Sequence, residues 1–214
     1  MTTLAFAVAA TIKHDGRGGV ADLLSTPAEA TAWLADNLDL VADVLGRPLE
    51  LPLSGKKSAR SDEFLPETQA DGRDDVVRRE LARIRRAVRA LFARAVEPGP
   101  PSTADADRLM GFEDALRLVN RAAAQLGTPY LEWVDEPVVR SSYGTDDPVA
   151  LLVGAVGRSA IDFLAGPDRT RLRACPAARC VKYFLQDDPR QVWCSPACGN
   201  RERVNRAYRK RRQQ

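Results

Sequence analysis

All four cysteines of this 214-residue chain fall in one 24-residue window near its C-terminus, in the pattern Cys175-x4-Cys180-x13-Cys194-x3-Cys198. Two close pairs separated by a loop form the spacing that one tetrahedral metal ion asks of two knuckles. A segment of about 45 residues buries too little apolar surface to offset its chain entropy, so modules of this size normally need a metal or disulfides. Four thiolates suit Zn(II) first and iron as the alternative. A redox or disulfide role fits less well, because neither pair has the Cys-x-x-Cys spacing. The expectation is one structural Zn(II) per chain on Cys175, Cys180, Cys194 and Cys198. With all four positions filled, no open position remains for water or substrate, which argues against a catalytic metal.

The window is flanked by charge. From Arg169 onward, 13 Lys and Arg face only Asp187, Asp188 and Glu202, a net +10, whereas residues 1–168 carry −7. An acidic body with a basic end points to a polyanionic partner at that end. Ser195-Pro196 reads as a helix start, with a hydroxyl cap and proline in the first turn, and the helix should run to about Arg211. Val181, Tyr183, Phe184, Val192 and Trp193 are expected to form a two-stranded ribbon, with Val204 and Tyr208 packed against it as core. The candidate nucleic-acid contacts are Asn200, Arg201, Arg203, Asn205, Arg206, Arg209, Lys210 and Arg212, alongside Arg211. The cations suit phosphates, and Asn200 and Asn205 suit base edges. Asn200 and Arg201 fit a structural role at the knuckle equally well. Arg171, Arg173, Arg179 and Lys182 would extend the basic surface or stay as exposed loop charge.

The body, residues 1–166, reads as helical, and the module as residues 167–214, so the fold class is mainly α with a small ββα-like zinc module. Ser25-Thr26-Pro27 caps a helix carrying Ala30, Trp33, Leu34 and Leu38, and a short helix over Leu40–Leu45 ends at Gly46. Leu49–Gln69 reads as loop. Over Asp74–Val96, Val77, Leu81, Ile84, Val88, Leu91 and Phe92 mark one helix face, and Arg78, Arg79, Arg83, Arg85, Arg86 and Arg89 read as a solvated face. A connector at Glu97–Ser102 precedes a helix expected over Ala104–Leu126, carried by Leu109, Phe112, Leu116, Val119 and Ala123 and stopped by Gly127. Tyr130–Tyr143 reads as a small hairpin. Asp146-Asp147-Pro148 caps an apolar helix to about Ala165, expected at the edge of the body and closed by Gly166-Pro167.

The run Trp193-Cys194-Ser195-Pro196-Ala197-Cys198-Gly199-Asn200-Arg201, continuing to Tyr208-Arg209, with Arg171-x-Arg173 and Cys175-Pro176 upstream, resembles the CGNR zinc-finger family. Members usually carry an N-terminal helical domain called ABATE, whose described role is stress-induced transcription regulation. The early Asp22–Leu34 segment is similar, while the family's usual Leu-Asp-Phe-Val-Asn-Thr opening is reduced here to Leu4-Ala5-Phe6-Val8. The resemblance implies zinc-dependent DNA binding by the C-terminal module, with the four cysteines as ligands.

Other classes find little support. His14 is the only histidine and sits beside Asp15-Gly16, where a surface role is expected rather than a catalytic one. Gly16-Arg17-Gly18-Gly19 lacks the Lys-Ser/Thr of a phosphate loop and reads as loop. The first dozen residues are apolar without a preceding basic residue, and no uninterrupted apolar stretch reaches bilayer length, so a cytoplasmic protein with reduced thiols and no membrane partner is expected. The resulting expectation is a non-enzymatic regulator that binds double-stranded DNA. Its helical body is the place for a small-molecule effector or a homodimer contact. The competing reading sets the basic helix against an acidic protein surface, and RNA is less favoured because the chain shows no aromatic stacking platform.

Overall fold

A computed structural model describes residues 3–14, 19–51, 67–103, 105, 109–133, 135–178 and 180–212, with side chains in the long fourth helix from residue 72 onward. The elements run α1 (Leu4–Ala9), β1 (Ile12–His14), β2 (Val20–Asp22), α2 (Pro27–Asp36), α3 (Leu38–Leu45), α4 (Glu67–Ala95), α5 (Phe112–Ala124), β3 (Thr128–Trp133), β4 (Pro137–Ser142), α6 (Pro148–Ala165), a 3-10 turn (Pro167–Arg171), β5 (Leu172–Ala174), β6 (Tyr183–Leu185) and α7 (Pro196–Arg212). The fold is mostly helical, with three antiparallel two-stranded hairpins among the described residues.

Local chemistry sets most helix starts. Thr26 accepts from the Glu29 N–H while the Glu29 carboxylate accepts from the Thr26 N–H, a reciprocal cap that starts α2 at the expected place. Asp147 caps α6 through the Val149 N–H. α3 ends at Gly46 in the left-handed conformation, which a residue without Cβ adopts at no steric cost. The apolar first residues are core: Leu4, Ala5, Val8 and Ala9 of α1 are all buried. α6 has the length and hydropathy of a membrane span, but more than half of that stretch is buried within the protein, as befits a central core helix.

That central position corrects one expectation. α6 packs on α5, α4, α1 and α3 and lies in the middle of the body, not at its edge. The approach of α5 is close because α6 carries glycines where the helices meet. A Cβ on Gly157 would lie 2.9 Å from the Val119 carbonyl oxygen, and one on Gly154 2.9 Å from Leu126 Cδ2. A close approach selects small residues on the facing helix, so α5 buries Ala115, Val119, Ala122 and Ala123. Leu109, Phe112 and Leu116, expected to carry this helix into the core, are exposed instead. Among the described residues the helix runs from Phe112; residues 104 and 106–108 of the expected span lie outside them, and Asp105 is held in a turn by Ser102 and takes part in a buried ion pair.

α4 begins at Glu67, inside the stretch read as loop, because its first turns are polar and show no apolar period to reveal them. Most of that stretch lies outside the described residues. Val77, Leu81, Ile84, Val88, Leu91 and Phe92 are buried as expected. The arginine face is not wholly solvated, however, because Arg85 and Arg89 are buried. Arg85 forms a two-pronged pair with Asp22, with Nη2 to Oδ2 at 2.7 Å, and Arg89 Nε lies 2.8 Å from Asp105 Oδ1. Each is compensated by an opposite charge, as burial of a guanidinium requires.

The hairpin read at Tyr130–Tyr143 is present as β3 and β4, paired from Thr128 with Ser142 to Trp133 with Pro137. The β1–β2 hairpin was not anticipated, since its strands are only three residues each. His14 ends β1, and its Nδ1 donates to the Gly19 carbonyl at 3.2 Å. Asp15 and residues 16–18 of the glycine cluster lie outside the described residues.

Candidate metal centre

Each cysteine is placed by a separate piece of backbone. Cys175 follows β5, and its N–H donates to the Lys182 carbonyl at 3.0 Å, closing the first knuckle. Cys180 sits in a turn in which its N–H donates to the Ala177 carbonyl at 2.8 Å. Cys194 precedes α7, and Cys198 lies in its first turn with its N–H on Ser195 Oγ at 3.4 Å, so the expected hydroxyl cap is in use. The ribbon differs from the expectation. It is formed by Leu172–Ala174 with Tyr183–Leu185, while Val192 and Trp193 belong to no strand. Trp193 instead packs beside the sulfurs with Phe184 and Ala177.

The four sulfurs converge to within 4.8 Å of one another. Cys180 to Cys194, Cys194 to Cys198 and Cys198 to Cys180 measure 3.7, 3.6 and 3.8 Å. Bonds of about 2.3 Å from a tetrahedral zinc place their sulfurs about 3.8 Å apart, whereas a disulfide needs about 2.05 Å. All four thiols are free, three of them buried. The donor set therefore fits one tetrahedral ion.

Electrostatics agree with that fit. Hydrogen bonds from the Cys180 and Cys194 thiols hold the Cys175 thiol far below its ordinary value. Sharing with Cys175 pushes Cys180 up to about 11 and Cys194 higher still. Four negative sulfurs cannot coexist at this spacing unaided, and a divalent cation at their centre supplies the missing charge. Backbone and side chains around the ligands add further support. The Cys194 N–H points at Cys175 Sγ at 3.5 Å, and a Cβ on Gly199 would lie 3.2 Å from the Trp193 ring. A glycine after Cys198 thus lets the helix start lie against the indole.

The site is fastened to the helical body. Tyr183 of β6 joins a ring cluster with Phe92, Phe6 and Phe163, its centroid 5.6 Å from that of Phe92. Leu172 and Tyr183 belong to the main core. Arg89 Nη2 donates to the Val181 carbonyl and Thr103 Oγ1 to the Cys180 carbonyl, at 3.1 and 2.7 Å. These links had no signal in the sequence beyond one arginine on a helix.

α7 leaves this centre almost bare, burying only Cys198 and Gly199. Val204 and Tyr208, expected as core, are 66% and 54% exposed, because the ribbon is short and turned toward the body. Arg201 Nη1 donates to the Ala178 carbonyl at 3.4 Å, Glu202 Oε2 accepts from the Ala178 N–H at 3.4 Å, and Arg209 pairs with Glu202 at 2.6 Å. Arg203 donates to Asn200 Oδ1 at 2.6 Å, and Arg212 lies over the Tyr208 ring at 5.4 Å. Asn205 is half-buried, while Arg206, Lys210 and Arg211 are exposed. Upstream, Arg171 is paired with Asp168 and Asp187, whereas Arg173 is exposed and donates only to the neutral Thr170 and Leu172 carbonyls, so its charge stays on the surface. Lys182 is exposed, and Arg179 lies outside the described residues.

Two family models match the chain end to end with this architecture: the ABATE model, described as "Putative stress-induced transcription regulator", over residues 2–167, and the CGNR zinc finger model over residues 171–212. No curated protein matches the chain.

Proposed function

We propose that this chain, which belongs to the ABATE family and ends in a CGNR zinc finger, is a non-enzymatic transcription regulator that docks on double-stranded DNA through a zinc-organised basic helix. Residues 1–166 act as the helical regulatory body and 167–214 as the finger. Cys175, Cys180, Cys194 and Cys198 hold one Zn(II), which fixes the start of α7 and so the direction in which its charges project.

The observation that carries this reading is the exposure of α7. A 17-residue helix that buries two residues and ends in Arg209, Lys210, Arg211 and Arg212 carries more positive charge than its one acid and the dipole of its C-terminal end call for. Its one acid, Glu202, is already paired with Arg209. The remaining cations meet phosphates, whose counterion release makes affinity fall with salt. The body has an open cleft of about 440 Å³ between α4 and the segment that leads into α5, lined by Ala90, Ala93, Leu109, Met110 and Phe112 with Arg94 and Glu97, where a small apolar effector would have to sit.

The test is a salt titration of the full zinc-loaded chain on a random duplex. About five phosphate contacts give a slope of log affinity against log salt near −4.5. Indifference to duplexes at low salt, with binding to an acidic protein surface, would favour the interaction-module reading instead.

A further inference from the structure

α7 has two unlike faces, and the contacts around the metal centre decide which is free. Arg201, Glu202, Asn205 and Arg209 follow the i, i+1, i+4, i+8 spacing of one helix side. That side is occupied. Arg201 and Glu202 hold the two backbone groups of Ala178 in the first knuckle, Arg209 is turned back onto Glu202, and Asn205 is half-buried. Asn200, Arg203, Val204, Ala207 and Arg211 follow the i, i+3, i+4, i+7, i+11 spacing of the opposite side, and every one is exposed. This side combines features that a purely phosphate-binding helix does not need. It has a valine with two-thirds of its surface in water, an alanine next to it, and an amide joined to a guanidinium by the 2.6 Å Arg203 to Asn200 bond. Of the neighbouring cations, Lys210 borders this side at helical spacing and Arg206 follows further round, whereas Arg212 is i+11 from Arg201 and so falls on the occupied side, braced on Tyr208.

We infer that the Asn200–Arg203–Val204–Ala207–Arg211 face enters the major groove and reads base edges, while the opposite face only aims the helix by gripping the knuckle. The inference rests on the duplex-binding reading above and adds that the binding is sequence-selective, with the selecting side chains named. Charge complementarity commits the occupant: the free face carries cations and no acid. The groove supplies partners for each group. Thymine methyls suit Val204 and Ala207, guanine O6 and N7 suit Arg203, and the Asn200 amide, whose oxygen is held by Arg203, offers its N–H to an acceptor such as adenine N7. Lys210 and, further round, Arg206 flank the reading face, where they meet phosphates and fix register. Arg201 and Arg209 are positioning residues in this scheme.

The test selects duplexes from a random library with the full zinc-loaded chain, then measures the affinity ratio of the best duplex to a random one for variants with wild-type zinc content. Asn200→Ala and Val204→Ser are uncharged changes at exposed positions that should fold normally. Each is expected to lower the ratio about 5- to 100-fold without changing the salt slope. Arg206→Gln is expected to weaken all duplexes alike and reduce the slope by about one. If Asn205→Ala lowers the ratio and Asn200→Ala and Val204→Ser do not, the reading face is the other one and the inference fails, although duplex binding stands. The same holds if the library yields no preferred duplex while random duplexes bind with the expected slope. If no duplex binds at low salt, the underlying function falls, and this inference with it.

Discussion

The guanidinium of Arg89 and the carbonyl of Val181 meet at 3.1 Å, joining the middle of the long helix α4 to the backbone next to Cys180 of the four-cysteine cluster. The same arginine also reaches the Ala9 carbonyl at 2.6 Å, Ser102 Oγ at 3.1 Å and Asp105, and Tyr183 closes the circuit with its hydroxyl on Asp105 at 2.8 Å. With Arg89 at 4% and Asp105 at 9% side-chain exposure, the pair lies in low dielectric, so losing one partner leaves a bare charge.

Arg89→Met is therefore expected to destabilise the zinc-loaded protein by about 3 to 5 kcal/mol, because Asp105 and three acceptors lose their donor together. Denaturant unfolding of wild type, Arg89→Met and the double variant Arg89→Met/Asp105→Asn checks this. The double variant should recover part of the loss, since the stranded carboxylate is gone.

Metal removal should be felt beyond the finger. Leu172 and Tyr183 are part of the main core, so chelation or Cys194→Ser, which removes a ligand, is expected to leave the helices formed but to lower their melting temperature. Far-ultraviolet circular dichroism with and without chelator measures it. An unchanged transition would mean that the two parts are energetically separate.

Acid should act on the β2–α4 link. Burial by itself raises the Asp22 carboxyl, but the Arg85 hydrogen bonds, the Leu24 N–H and the Arg85 charge together hold it below its ordinary value. A carboxylate with a depressed folded value contributes stability that is fully present above the unfolded-state value of about pH 4 and is lost as pH falls through the folded one. Asp22→Asn should thus be less stable than wild type at neutral pH, and the gap should close below about pH 4 in a pH series of unfolding curves.

Gly157→Ala places a methyl 2.9 Å from the Val119 carbonyl, with Ala123 N at 3.0 Å, both backbone atoms that cannot turn aside. Separation of α5 from α6 is the only relief, and a cost of about 1 to 3 kcal/mol is expected from thermal unfolding.

What could be read from the sequence divides along physical lines. Periodicity and caps located α2, α6 and the apolar face of α4, since these signals are local and helical packing preserves them. Cysteine spacing located the metal centre, because a chain too short for a core depends on its ligands. The burial of Arg85 and Arg89 was not legible, as their partners lie 63 and 16 residues away. Nor was the exposure of Phe112 and Leu116, since the tight packing of α5 on α6 is set by glycines on the other helix. Val204 and Tyr208 misled for a similar reason: an apolar pair at helical spacing reads as core unless one knows that the ribbon faces elsewhere.

Four sulfurs sharing one ion at the root of α7 are the premise of the proposed DNA docking, and X-ray absorption at the zinc edge of the purified chain measures that directly. One zinc per chain, with four sulfur neighbours at about 2.3 Å, is the expected result. A shell containing nitrogen or oxygen, or a fully folded chain without zinc, would contradict it.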